Sequence, residues 1–380
     1  MDFDLTKEQK DIAKAAREFA EGEFPDRADE FDRDETFDEA LAKKAAELGF
    51  VGSTIKEEYG GAGLGMIESC LIMEEFSVVD TGTGIAIRSG AFGSDGIQEF
   101  GTEEQKKRYL PRIAKAEEIM GSAYTEPNAG SDLAAASTTA VREGDEFIIN
   151  GSKMFTSNGN RANYLLVFAQ TDPDNPKVHQ RHSLILVETH REGYEANKLT
   201  GKLGVRASNT SEVAFNNVRV PCANLIGELG NGFRQTVHLF NHYRVGVAAQ
   251  AVGIARAALE ESIKHVKKRY AFGAPLASFQ AIQFKIADMY TMIQAGKNLT
   301  YGAAWRIDQG AIDHKLVAAA KSFCGQMAVK CADMALQMHG GYGYLAEYKV
   351  QRLYRDAKIT EIYEGTTEIE KLIMARALLA

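Results

Sequence analysis

From Thr6 to about Lys115 the apolar positions recur at helical spacing. In TKEQKDIAKAAREFAEGEF, Thr6 stands as a helix cap with Glu8 in the first turn, and Ile12, Ala15, Ala16, Phe19 and Ala20 share one face. FDEALAKKAAELGF repeats the pattern and ends at Gly49, a helix C-cap candidate. EEYGGAGLG, 57–65, is a glycine-rich turn, IESCLIMEEFSVVD an apolar helix, and TEEQKKRYLPRIAKAE another helix punctuated by Pro111. The texture changes near Ile119. Short β-branched or aromatic runs follow, FIING, NYLLVFAQTD, HSLILVET and SEVAFNNVRVP, separated by Gly, Asn, Asp and Pro, and their spacing predicts a small β-barrel or sandwich. After Gly232 the helical period returns over 233–270, 279–309, 315–338 and 348–379. The chain therefore reads as helices, strands, helices, with boundaries at 1–118, 119–231 and 232–380.

At 380 residues, 45% hydrophobic and 25% charged, the chain is long enough for two or three packed units around a sizeable core. A net charge of -8 without a basic run excludes nucleic acid as an expected partner. No apolar run is long enough for membrane insertion, and MDFDLTKEQK is unlike a signal or transit peptide, so a cytoplasmic location is expected. Cys70, Cys222, Cys324 and Cys331 match no zinc spacing and read as free thiols of a reducing compartment. The eight histidines show no metal-ligand motif, so no metal is expected. GAGLG lacks the preceding strand and third glycine of a dinucleotide loop, which excludes a Rossmann reading.

Five segments carry candidate chemistry. In AKITEIYEGTTEIEKLIMAR, Glu364 follows Tyr363 and precedes Gly365 at a loop-to-helix junction, with Thr366 or Thr367 as cap and Glu368 and Glu370 early in the helix. A carboxylate there can point into a cleft, and an apolar pocket would raise its pKa towards the range of a carbon-proton base; judged on composition alone, the reading as one more exposed acid near a helix start wins. AYTEPNAGSD (Thr125, Gly130, Ser131) offers hydroxyls and backbone N–H groups for a ring carbonyl or phosphate, or is a polar surface turn. KMFTSNGNRANY (Phe155, Thr156, Ser157) offers an aromatic face and hydroxyls to a flat cofactor, or is a strand entering an Asn-Gly turn. RYAFGAPLASFQ places Arg269 to pair with a pyrophosphate, and LQMHGGYGYL places Gly340 and Gly341 after a helix, where backbone can approach closely.

Taken in order, TEPNAGSD, the K-M-F-x-x-N-G step, RYAFGAPL-x-x-FQ, Gln337 with Gly340-Gly341, and RDAKITEIYEGTTEI resemble the acyl-CoA dehydrogenase family over essentially the whole chain. The resemblance implies an α+β multidomain fold: an N-terminal helical domain, a central β domain and a C-terminal four-helix bundle. It implies FAD and a homotetramer in which the flavin crosses a subunit interface. Carried onto this sequence, Tyr124, Thr125, Gly130 and Ser131 would bind or border the flavin, Ser131 also bordering the substrate, with Phe155 and Ser157 against its ring. Arg269, Phe272, Gln337, Gly340 and Gly341 would meet the adenine half from the neighbouring subunit. Thr366 and Glu368 would hold the pyrophosphate–ribose part, Phe240, Asn241 and Arg244 the CoA channel, and Tyr363 and Gly365 the substrate beside Glu364. Asn241, Tyr124, Ser157 and Ala271 depart from the commonest family residues and alter individual contacts. Branches with the base on another helix would place it near Tyr243, which is not a carboxylate, so Glu364 is the expected base.

The implied reaction is removal of the α-proton of an acyl-CoA by Glu364 and hydride loss from Cβ to FAD, with an electron-transferring flavoprotein or similar carrier as acceptor. The helix read over 85–98, IAIRSGAFGSDGIQ, would floor the acyl pocket, where Gly90, Ala91 and Gly93 leave room for a wide group. This stretch is similar to that of dehydrogenases acting on cyclohexane-carboxylic CoA esters, so the expected substrate is alicyclic or short and branched. Arg88 has two readings: a contact for a second carboxylate, or a side chain snorkelling to the surface or an interface, the second being favoured. Two other functions stay open: an oxidase or monooxygenase on the same scaffold, and a non-catalytic helical interaction protein.

Overall fold

The computed structural model describes residues 4–380; the first three residues of the N-terminal segment lie outside them. Seven helices come first: α1 (Lys7–Glu23), α2 (Pro25–Asp34), α3 (Glu39–Glu47), α4 (Met66–Val79), α5 (Thr81–Arg88), α6 (Ser94–Phe100) and α7 (Glu103–Ala114). The Thr6 cap is reciprocal, with Gln9 as its partner: Gln9 N donates to Thr6 Oγ1 at 3.1 Å and Thr6 N to Gln9 Oε1 at 3.0 Å. Pro111 lies inside α7 and does not punctuate it; without an N–H it makes no i→i−4 hydrogen bond, and α7 closes three residues later at Ala114. The single helix read over 85–98 is two helices, α5 and α6. Between them Gly93 turns at φ 102, where a Cβ would strike Ser122.

The middle of the chain forms one eight-stranded mixed sheet. Its strands are β1 (Met120–Ala123), β2 (Thr139–Glu143), β3 (Glu146–Ser157), β4 (Tyr164–Gln170), β5 (His182–Glu188), β6 (Tyr194–Lys198), β7 (Thr210–Pro221) and β8 (Leu225–Ile226). The order is β6-β7-β3-β2-β4-β5-β8, with β1 parallel to β4. The four runs read from sequence lie in β3, β4, β5 and β7. The remaining strands are short or polar-faced and carry little period-2 signal. One core cluster fills the sheet, with Ile149, Val167, Val187 and Val218 each fully buried.

The C-terminal third holds α8 (Gly232–Lys268), a small hairpin of β9 (Tyr270–Ala271) and β10 (Ala274–Pro275), α9 (Gln280–Asp308), α10 (His314–His339), α11 (Lys349–Ala357) and α12 (Thr367–Leu379). Small residues along α8 and α10, among them Ala248, Ala255, Ala328 and Ala335, are fully buried and let these long helices pack closely. Cys70, Cys324 and Cys331 are buried free thiols in the same cluster. A buried polar clamp joins the three parts. Asp80 caps α5 through Thr83 N (2.8 Å) and accepts Arg352 Nε from α11 (2.9 Å), while Asp356 accepts Val205 N at 2.6 Å. Among the described residues no helix is long and apolar enough to cross a membrane.

A second buried pair fixes the loop before β2 against β3. Lys153 Nζ donates to Glu126 Oε1 at 2.8 Å and to Tyr124 O at 3.1 Å, and Glu126 also accepts Ser137 N and Thr138 N at 2.7 and 2.9 Å. Burial alone would raise the Glu126 carboxyl, but Lys153 and these donors overcome it and hold the group at about 2. Lys153→Met strands the Glu126 charge and is expected to destabilise the fold by about 3–5 kcal/mol. Adding Glu126→Gln recovers much of that loss. Denaturant melts of the single and double variants measure both, and a loss below about 1 kcal/mol in the single variant contradicts the latch.

Candidate active site

Glu364 lies on the link between α11 and α12, after a 3-10 turn at Lys358–Glu361. It is one of few non-glycine residues with left-handed backbone, at φ 54, and Gly365 follows at φ 106. A left-handed residue with a Cβ costs about 1–2 kcal/mol, so the turn persists only where its surroundings fix it. Two cations do so. Arg244 Nε on α8 donates to Glu364 O at 3.1 Å, and Lys321 Nζ on α10 donates to Gly365 O. Arg244 Nε also lies 2.9 Å from Glu370 Oε1, as an ion-pair contact without hydrogen-bond alignment. A side chain at position 365 would collide with Glu370. The Tyr363 hydroxyl donates to Gln250 on α8 and fixes the preceding residue.

The Glu364 side chain faces a cavity of about 380 Å³ between the N-terminal helices, the end of β3 and α8. Tyr363 and Ser157 share its wall, as do Arg88 and Ala91 from the α5–α6 region. Burial pushes the Glu364 carboxyl up to about 7, against the pull of Arg244 and Lys321 and with the push of Glu370. Burial likewise lowers Lys321 to about 8 and raises Glu370 to about 7. A carboxylate so poised gains proton affinity without losing its ionised form near neutrality. The Glu364 N–H, beside the same cavity, donates to no group among the described residues.

Phe155 breaks the β3–β7 register between Lys153 and Thr156 and takes φ 58. The bulge turns its ring out, and Phe155 is 67% exposed, two residues from Ser157 on the cavity wall. Tyr124 is buried edge-on against Phe240, ring centroids 5.2 Å apart. Thr125 O accepts Met154 N at 2.8 Å, which ties the loop bearing exposed Gly130 and Ser131 to β3 beside Phe155. Thr366 caps α12 by accepting Ile369 N at 3.4 Å, and Glu368 lies exposed in that first turn. Arg269, Gly340 and Gly341 border a separate open hollow with His265 and Tyr342; Gln337 is exposed on the last turn of α10, and Phe272, at the hairpin tip with φ 52, is 97% exposed.

Some expected positions move. Of Gly90, Ala91 and Gly93, only Ala91 faces the cavity; Gly90 borders a neighbouring small hollow and Gly93 serves the turn against β1. Asn241 is buried in the bundle, where its amide donates to Val237 O at 2.8 Å and its oxygen meets His314 Nδ1 at 3.1 Å. The Arg244 head is spent on the Glu364 turn. Arg88 does not snorkel; its guanidinium is held inside the fold by Phe50 O, Ser53 and Ser69. Lys321, Gln250, Asp95 and His242 were not singled out from sequence. Lys321 had a signal, a lone charge on the apolar face of α10.

Taken together, a carboxylate of raised proton affinity shares a cavity wall with Ser157, two residues from an exposed aromatic ring, an arrangement suited to removing a proton from carbon. The chain belongs to the acyl-CoA dehydrogenase family: residues 6–117, 121–218 and 230–379 match its N-terminal, middle and C-terminal domains. It is 42% identical over 381 residues to acryloyl-CoA reductase (NADH) of Anaerotignum propionicum, covering 100% of this chain and 96% of the relative. A chain solved in work on the electron transferring flavoprotein of Acidaminococcus fermentans superposes with TM-score 0.96 at 41% identity, covering 100% of both. Butyryl-CoA dehydrogenase from Megasphaera elsdenii superposes with TM-score 0.96 at 37% identity, again over 100% of both. The protein is therefore an oxidoreductase of acyl-CoA dehydrogenase type, and its cofactor is FAD. The residues present fit that group: an isoalloxazine needs an apolar face and edge donors, and the turned-out Phe155 ring with the hydroxyls of Thr125, Ser131 and Ser157 offers both, Ser157 on the wall of the Glu364 cavity.

A carboxylate accepts a proton only when ionised, so a reaction that uses Glu364 as its base should show a limiting rate of flavin reduction that falls as pH drops through about 7. Removing a nearby cation raises the carboxyl further, so Lys321→Met should move this acid limb to higher pH. Stopped-flow bleaching across pH measures both, and an unmoved or downward-shifted limb contradicts the through-space pull of Lys321 on the carboxylate.

Proposed function

We propose that this chain desaturates a short, branched or alicyclic acyl-CoA at Cα–Cβ, with Glu364 as the base. The observation that carries the reading is a single left-handed carboxylate, braced by Arg244 and Lys321, on the wall of a cavity of about 380 Å³. Glu364 takes the α-proton, and its free N–H donates to the thioester oxygen as negative charge develops there. Bound FAD supplies the two-electron acceptor for the hydrogen at Cβ. Tyr124, Thr125, Gly130, Ser131, Phe155 and Ser157 seat its ring, and Thr366 and Glu368 its pyrophosphate–ribose part.

Arg269, Phe272, Gln337, Gly340 and Gly341 lie apart from this cavity, on a surface suited to the adenine half of a cofactor held by a neighbouring copy, which supports a homotetramer. An electron-transferring flavoprotein accepts the electrons, a reading supported by the near-identical fold of the Acidaminococcus fermentans chain. Ala91 at the cavity wall favours compact acyl groups with width near Cβ, and the acryloyl- and butyryl-CoA relatives favour short ones. The same groups serve the reverse reduction, since a base that accepts the α-proton returns it as an acid.

Glu364→Gln is expected to retain FAD and bind acyl-CoA while flavin reduction by substrate slows by roughly 10²–10⁴-fold or more. Anaerobic stopped-flow absorbance checks this, and bleaching at the unmodified rate refutes the assignment.

A further inference from the structure

The wall built by α5, α6 and the 50–54 segment is charged in a way that removal of a hydrogen pair does not require. Arg88, at the end of α5, donates from Nη1 to Phe50 O and Ser53 Oγ, each at 3.2 Å, and from Nη2 to Ser69 Oγ at 2.7 Å. All three acceptors are neutral. Ser53 and Ser69 are buried, and among the described residues no carboxylate reaches ion-pair distance of Arg88. Its Nε–H and one Nη2–H have no acceptor, and these belong to the planar fork that suits a carboxylate. A guanidinium stays ionised when buried, and the cavity carboxylate that acts on it, Asp95, does so through space without a hydrogen bond.

The other acids of the cavity form no direct ion pair with Arg88. Asp308 is spent on the first N–H groups of α4, Met66 N at 2.6 Å and Ile67 N at 3.1 Å. Glu99 is exposed to solvent, and Glu364 is the base. His242 turns Nδ1 to His238 O at 3.3 Å. Asp95, on the first turn of α6, accepts one hydrogen bond, from Thr54 Oγ1 at 3.1 Å. Burial raises its carboxyl, against His242, Thr54 and Arg88.

We propose that the acyl chain accepted by this enzyme carries a carboxylate, seated on the Arg88 fork. This deepens the acyl-CoA dehydrogenase reading of the cavity and rests on it. An alkyl tail would leave the fork desolvated and unpaired, and a site built around buried polar groups discriminates strongly against ligands that lack their partner.

The test uses the FAD-loaded enzyme, titrated anaerobically with glutaryl-CoA, its ω-methyl ester and butyryl-CoA, with flavin bleaching as one readout. Calorimetric binding of the same thioesters to Glu364→Gln holoenzyme is the second. Glutaryl-CoA should exceed its ester by about 100-fold or more in kcat/KM and in affinity, and Arg88→Met should abolish that preference. Equal or better handling of the ester or of butyryl-CoA by the unmodified enzyme overturns the inference while leaving the dehydrogenase reading intact. So does a preference that survives Arg88→Met. Bleaching by none of the three thioesters overturns the inference, and a further null with cyclohexanecarbonyl-CoA overturns the dehydrogenase reading as well. The ester comparison needs no variant, so it decides the matter even where Arg88→Met fails to fold.

Discussion

A carboxylate can take a proton from carbon near neutral pH only if it is drawn out of water without being neutralised by its surroundings. That constraint organises the C-terminal half of this molecule. Glu364 is desolvated, but the cations nearest to it, Arg244 and Lys321, direct their hydrogen bonds to the backbone carbonyls of 364 and 365. Their charge reaches the carboxylate only through space. They lower its proton affinity without forming the direct ion pair that would hold the group permanently ionised. Glu370 completes the balance by facing Arg244 at 2.9 Å and opposing its effect.

The same cations explain why a strained turn persists. The left-handed backbone at Glu364 and the sharper one at Gly365 are imposed by contacts from α8 and α10, two helices whose buried alanines make them a rigid base. Phe155 is the counterpart in the sheet: a bulge in β3 forces it left-handed and turns its ring out, while Lys153 and Glu126 lock the adjacent loop. Backbone strain at both places falls on residues that face the proposed chemistry, and each is over-determined by buried ionic groups from another element.

Much of the fold was legible because long helices carry a strong 3.6-residue period, and α8, α9 and α10 lie within a residue or two of where the apolar pattern put them. The hydrophobic strands β4 and β5 were equally clear. Short or polar strands such as β2 and β6 were not, since their existence depends on partners distant in sequence. The break between α5 and α6 was missed because IAIRSGAFGSDGIQ keeps apolar residues at helical intervals through a turn that Gly93 makes possible. At the site, the chemistry-bearing residues stood out through local motifs. Their supports did not: Lys321 and Gln250 lie in helix interiors far along the chain and look like ordinary helix positions until α8 and α10 bring them to the 363–365 turn. Arg88 was misread for the same reason, since a charge on a helix usually faces water and only the packing of α4 and the 50–53 segment encloses it.

The central claim is that one side chain moves the α-proton. It is tested most directly by exchange into heavy water of the α-hydrogen of a CoA thioester that has no β-hydrogen and so cannot be desaturated. Followed by proton NMR on FAD-loaded enzyme, the α-signal should disappear with the unmodified protein and persist with Glu364→Gln. Equal washout by both proteins would place the base elsewhere and contradict the account.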